Sequence, residues 1–250
     1  MQHYPHIPAS NQTIIAGQEQ VNEKLPFTIR IVHTEQALDK AVSIRHQAYG
    51  RHVPELARQL SVPESHDAQP GTAVLLAESK LDGVPVGTMR IQTNQYGPLG
   101  VEGTVELPEW LQGQSLAEAT RLGISLGRTG HVAKLALFKA YYLYCLEAGI
   151  DWMVITARAP LDRQYESMLF QDVLPGAGYI PMQHIGNIPH RVLALPVAGA
   201  RQLWEDAGHS LLKFMIHTRH PDIRIDTAQD DDMRTMRVHV PVSELSLRVS

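Results

Sequence analysis

The chain has 250 residues, 22 of them basic and 26 acidic, for a formal net charge of −4; 44% are apolar and 6% aromatic. That apolar share supports a buried core and excludes wholesale disorder, while the acidic balance excludes a chain-wide nucleic-acid footprint. A single cysteine, Cys145, excludes an internal disulfide framework and an all-cysteine metal site.

Residues 1–26 are polar, rich in Pro, Asn and Gln, and read as a flexible N-terminal arm. They show no basic stretch followed by an apolar one, and no run reaches the roughly 18 apolar residues of a membrane span, so a soluble cytoplasmic protein is expected. Phe27 to Val32 alternates as a strand does. Thr34 offers an N-cap for a helix over Glu35 to Tyr49, with Ala37, Leu38, Ala41, Ile44 and Ala48 on one face. Pro54 to Leu60 reads as a short helix. Ala73 to Ala77 and Val84 to Ile91, joined by Leu81-Asp82-Gly83, read as an antiparallel hairpin. A Gly-rich loop, Asn94 to Thr104, precedes a strand over Ala117 to Ile124.

His131 to Ala148 is the strongest helix, apolar on most faces and stopped by Gly149. Trp152 to Thr156 is a buried strand, Pro160 to Phe170 a helix, Val192 to Leu195 a strand and Ala200 to Ile216 a late helix. From Asp230 the chain is acidic and then strand-like. The order gives an α/β protein with an antiparallel hairpin inside it, divided into a domain over 27–225 and a C-terminal extension over 226–250.

Few residues invite chemistry. In Glu118-Ala119-Thr120-Arg121, strand alternation puts Glu118 and Thr120 on one face and Arg121 on the other, unless a bulge brings them together. Such a charged pair is either an ion pair at a sheet edge or a carboxylate near a reacting amine. Arg90 lies in a central strand; it either ends in solvent or holds a carboxylate or phosphate by its planar fork. Gly127-Arg128-Thr129-Gly130 reads as a turn before the long helix, a natural anion site. Tyr165 either packs or protonates a leaving thiolate. Cys145 reads as a buried, inert thiol. The pairs His184/His190 and His217/His220 lack metal-ligand spacing, so no metal is expected.

Taken in order, these segments resemble a family. Ser43-Ile44-Arg45-His46-Gln47-Ala48-Tyr49, Val86-Gly87-Thr88-Met89-Arg90-Ile91 and Glu118-Ala119-Thr120-Arg121 are similar to the early-helix, Gly-x-x-Arg and Glu-x-x-Arg motifs of acyl-homoserine-lactone synthases. They are most similar to the long-chain N-acyl amino acid synthase group, as is His220-Pro221-Asp222-Ile223. The resemblance implies a GCN5-related acyltransferase fold, a mixed, mostly antiparallel twisted sheet flanked by helices. It also implies transfer of a long-chain acyl group from an acyl carrier protein thioester to an amino acid amine. Coenzyme A-dependent acetyltransfer, a homoserine-lactone product and a non-catalytic acyl-binding module are the alternatives.

Ordinary acetyltransferases cradle pyrophosphate with Arg/Gln-x-x-Gly-x-Gly/Ala. Counted from Arg128, the fourth residue here is His131 and the sixth Ala133, which favours acyl-phosphopantetheine over coenzyme A. Only Glu64 and Asp67 stand where the lactone synthases carry a more acidic pair. The implied catalytic residues are Glu118 (base or amine orienter), Arg121 and Tyr165. Arg90 and Arg45 are implied to bind the acceptor, and backbone N–H groups at Ile124, Ser125 and Leu126 the oxyanion. Arg128, Gly130, His131 and Lys134 are implied to meet the phosphopantetheine and the carrier, and Leu135, Phe138 and Tyr142 to wall the acyl chain. A lipid product would allow peripheral membrane contact.

Overall fold

In the computed structural model, residues 21–225 are described. Strand β1 (Val21–Asn22) leads into β2 (Phe27–Ile31), where Phe27, Ile29 and Ile31 are buried, as their alternation requires. The expected arm overlaps the described chain only at 21–26, and there it is seated: Val21 pairs with Thr218, and Leu25 is buried. Thr34 caps α1 (Glu35–Gly50), its Oγ1 accepting from the Ala37 amide at 3.3 Å. Ala37, Ala41, Ile44 and Ala48 bury one face of α1. Helix α2 (Pro54–Gln59) and a 3-10 turn at Ser65–Ala68 follow. Strands β3 (Thr72–Ser79) and β4 (Pro85–Thr93) form the expected hairpin, and β5 (Leu116–Ile124) pairs antiparallel with β4.

Helix α3 (Arg128–Glu147) begins earlier than its apolar pattern suggests. Only Gly127, at φ 85, lies outside it, so Arg128-Thr129-Gly130 is its first turn rather than a loop. It ends as expected at Gly149 (φ 65): the Gly149 and Ile150 amides donate to the Leu146 and Cys145 carbonyls. Then come β6 (Trp152–Ala157), α4 (Asp162–Glu166), β7 (Gln171–Asp172), β8 (Ile180–Met182), β9 (Ile188–Pro196), α5 (Ala200–Asp206), β10 (Thr218–Arg219) and β11 (Ile223–Arg224).

Two expected helices are shorter than their patterns. The one expected over Pro160 to Phe170 is only α4, because the chain leaves helical geometry at Leu169, φ 70. The one expected over Ala200 to Ile216 stops as α5 near Gly208, φ 58, and Lys213–His217 winds separately as a π-helix. The expected acidic run from Asp230 and the extension over 226–250 lie outside the described residues.

The main sheet runs β11-β2-β3-β4-β5-β6-β9-β7, with β8 added on β9. Its pairs are antiparallel except β11/β2 and β5/β6. Both faces are covered. Val74 and Leu76 pack on Ala37 and Ala41 of α1; Ala73, Leu75 and Ala77 share a core with Ala133 and Leu137 of α3. That explains why β3 reads as a continuous apolar run.

The start of α3 is pressed onto the end of β5. A Cβ at Gly130 would sit 1.9 Å from the Ser125 carbonyl oxygen. Gly130→Ala is expected to lower stability by about 1–3 kcal/mol, read as a lower urea midpoint at unchanged slope.

Candidate active site

The site forms where β5 and β6 part. Their parallel ladder runs from Leu116↔Trp152 to Ala119↔Ile155; β5 then continues to Ile124 along β4 and β6 to Ala157 along β9, no longer paired with each other. Into this gap opens a cavity of about 350 Å³. Met89, Phe138, Ile155, Leu161 and Tyr165 give it an apolar side. Thr120, Arg121, Tyr49 and His190 give it a polar one. Arg51 reaches over from the end of α1, donating to the Ile124 carbonyl at 2.6 Å.

Beside the cavity lies a charge network that the strands alone would not make. Thr88 pairs with Gly123 and Arg90 with Thr120, so Met89 faces two residues, Arg121 and Leu122. This is a β-bulge, and Arg121 adopts φ 56 within it. It turns Arg121 onto the face of Thr120 and Arg90. Arg90 Nε donates to Thr120 Oγ1 at 3.1 Å, and Arg121 grips Glu64 with Nε and Nη2, each at 2.7 Å. Arg90 also reaches Glu64 at 3.1 Å and Asp67 at 3.3 Å. Arg45, fully buried on α1, forks onto both Asp67 oxygens at 2.9 and 3.0 Å and touches Glu64 at 3.3 Å. The 3-10 turn presents both carboxylates, since the Glu64 amide donates to Asp67 at 2.9 Å.

Partial burial alone would raise the Glu64 and Asp67 carboxyls. The hydrogen bonds and charges of Arg121, Arg90 and Arg45 outweigh it and hold both below their ordinary values. Burial raises the Tyr49 phenol against the opposing pull of the same arginines.

Of the residues expected from sequence, Arg121, Tyr165, Ile124, His131 and Lys134 line the cavity, and Phe138 walls it. Others do not. Arg45 and Arg90 are engaged with Glu64 and Asp67 outside the cavity lining. Arg121 locks Glu64 rather than Glu118. Glu118 is fully buried outside the lining; it accepts from the Val101 amide at 3.2 Å and lies 3.2 Å from His184 Nε2. The Ser125 amide donates to Val86, so it cannot serve an oxyanion. Leu126 is 77% exposed. Arg128 is exposed, and Gly130 meets Ser125 rather than open space.

His131 Nδ1 lies 2.9 Å from the Gly127 carbonyl and Lys134 Nζ donates to Gln164 at 2.6 Å, with burial lowering the lysine's pKa. Leu135 does not line the cavity, and Tyr142 packs edge-on against Trp204 instead. Burial pushes the Tyr165 phenol well above its ordinary range, between the rings of Phe138 and Phe170. Cys145 is buried as expected, its thiol pushed far up.

Sequence reasoning missed His190 and undervalued Glu64 and Asp67. In the sequence His190 stands out only as half of a histidine pair without metal-ligand spacing. On β9, residues 188, 190 and 192 share a face, and Ile188 and His190 line the cavity. A lone histidine at that parity in an otherwise apolar strand was the available signal.

A mostly antiparallel sheet whose one central parallel pair, β5 and β6, parts around a cavity, with a long helix starting at the opening, is a GCN5-related acyltransferase-like fold. The family description "N-acyl amino acid synthase FeeM" matches residues 40–182. The chain belongs to that family and is an N-acyltransferase. Among solved structures it is similar to FeeM, an N-acyl amino acid synthase from uncultured soil microbes, at 22% identity and TM-score 0.58, over 76% of this chain and 97% of that one. It is also similar to BjaI, a coenzyme A-dependent acyl-homoserine lactone synthase, at 17% identity and TM-score 0.52, over 83% and 99%. No curated protein sequence matches. Among the described residues, no helix is long and apolar enough to cross a membrane.

Glu64→Gln leaves Arg121 and Arg90 facing a neutral amide, and is expected to cost about 3 kcal/mol in urea unfolding. Because each folded carboxyl lies below its ordinary value, 4.5 for Glu64 and 3.8 for Asp67, the unfolded chain binds more protons between each group's folded value and its ordinary one. Their stabilisation is complete above the ordinary values and is lost as pH falls through the folded ones. Unfolding midpoints measured from pH 6 downward should fall more gently for Asp67→Asn than for the native chain.

Proposed function

We propose that this N-acyltransferase moves a long-chain acyl group from an acyl carrier protein thioester to the amine of an amino acid. The observation that carries the reading is the meeting of an apolar cavity with a cationic floor. Three guanidinium groups, of Arg45, Arg90 and Arg121, face two carboxylates, of Glu64 and Asp67, which leaves one positive charge in excess. Of the three, Arg121 lines the cavity, and an acceptor carboxylate there would balance the network. Phe138, Ile155 and Tyr165 suit an acyl chain, which gains about 0.8 kcal/mol per buried methylene.

The donor's thioester would enter the gap between β5 and β6. Strand parity supports an oxyanion donor there: with the Ser125 amide turned to β4, the Ile124 amide is turned to the gap. One such donor is worth about 3 kcal/mol. The Tyr165 phenol, held protonated, would donate a hydrogen bond to the leaving thiolate. Glu118, next to His184, would position the site from behind rather than touch the amine. Phosphopantetheine phosphate would meet the first turn of α3, where Arg128, His131 and Lys134 gather. Exposed Leu126 and Val132 beside that turn suit peripheral contact with a lipid surface. A coenzyme A donor is the second reading, because the similar BjaI structure carries isopentyl-CoA.

Mass spectrometry of lipid extracts from overproducing cells should reveal a new N-acyl amino acid. With purified components, acyl carrier protein should support turnover better than the matching acyl-CoA. Arg128→Glu with Lys134→Glu should raise the KM for the carrier about tenfold, as for the loss of two exposed charge pairs, and leave the KM for the amino acid unchanged. Unchanged carrier affinity would remove the docking role.

A further inference from the structure

We propose that His190 is the general base of the acyl transfer. Its Nε2 takes a proton from the attacking amine and hands it to the leaving thiolate. The inference deepens the acyl-transfer reading and rests on it.

The cavity has no carboxylate in its wall among the described residues, which leaves histidine as the base of ordinary basicity. Three histidines line it. His52 and His131 are exposed, whereas His190 is only 7% exposed. His190 Nδ1 lies 2.8 Å from the Ile188 carbonyl. A carbonyl only accepts, so Nδ1 carries the hydrogen and Nε2 holds the lone pair. Among the described residues no donor meets Nε2 and it is not sealed off, so its opening is to the cavity that the ring lines.

The surroundings keep the ring neutral. Burial, His184 and Arg158 lower its pKa, and the bond to Ile188 opposes them only in part. Arg158 comes from the end of β6 and His184 from the 3-10 turn at Gln183–Ile185, while β8 brings only Ile180, Pro181 and Met182. Across the cavity stand Arg121 of β5, Tyr49 and Arg51 at the end of α1, Lys134 of α3 and Tyr165 of α4. All are cationic or neutral, so none stabilises an imidazolium at rest.

The step balances without a co-reactant. The amine nitrogen bonds to the thioester carbon as Nε2 takes one amine proton, and the carbonyl electron pair moves to oxygen. On collapse the carbon–sulfur bond breaks, and the thiolate takes the proton back from Nε2. Amide and thiol leave, and the imidazole is neutral again.

The experiment compares the native enzyme with His190→Asn, whose amide can keep the bond to Ile188 but has no basicity. Product formation is followed from pH 5 to 9. The native kcat/KM should rise through a midpoint below 6.5, the ordinary value for histidine. His190→Asn should lose about 100-fold or more in kcat, keep both KM values and lose that acid limb. Added imidazole should partly restore His190→Ala. If His190→Asn keeps its kcat and acid limb, the proposal is wrong. If the variants do not fold, the native profile decides: absence of a limb below 6.5 overturns the proposal. Native enzyme that forms no N-acyl product overturns the acyl-transfer reading instead.

Discussion

Glu64 accepts from arginines on three elements: Arg45 on α1, Arg90 on β4 and Arg121 on β5. Removing such charges from water is costly, and the cost is met only while every partner is in place. The network therefore fixes three elements at once. It holds α1 against the sheet, sets the bulge in β5 and keeps the turn at Ser65–Ala68 against the strands. Its surplus charge also gives the cavity its electrical character, so one arrangement serves both fold and site.

A second constraint is the approach of α3 to β5. Gly130 lets the helix start meet the Ser125 carbonyl, and small Ala133 lies under β4. With α3 so placed, the continuation of β5 beyond Ala119 has no strand on its other side. The cavity follows from packing that keeps two strands apart.

The chain's order of elements was legible because its long segments are strongly marked: α1 by its periodic apolar face, and β3, β4, β5 and α3 by long apolar runs between turn signals. Short elements were not. α4 and α5 stop shortly before Leu169 and Gly208, whose positive φ depends on tertiary packing for the one and on a single glycine for the other. The site was legible in part. Arg121 and Tyr165 were found at the cavity, but Arg90 and Arg45 were expected at the substrate and instead meet Glu64 and Asp67. Pairing between residues 57 or 22 positions apart leaves no local trace in sequence. Glu118 was misplaced because an apolar strand shows that a charge is buried, not which side of the site it serves.

The bulge in β5 has a consequence for how this strand can change. Side-chain direction along a strand is a count of residues, and the extra residue opposite Met89 resets that count between Thr120 and Arg121. The interval in Glu118-x-x-Arg121 is thus a punctuation mark. A substitution there alters one group, but removing a single residue would shift the frame of everything beyond it. With the bulge gone, Arg121 would stand in the place of Thr120 opposite Arg90, without the turn that aims it at Glu64, its partner at 2.7 Å. The spacing, as much as the side chains, is what holds the floor of the cavity in place.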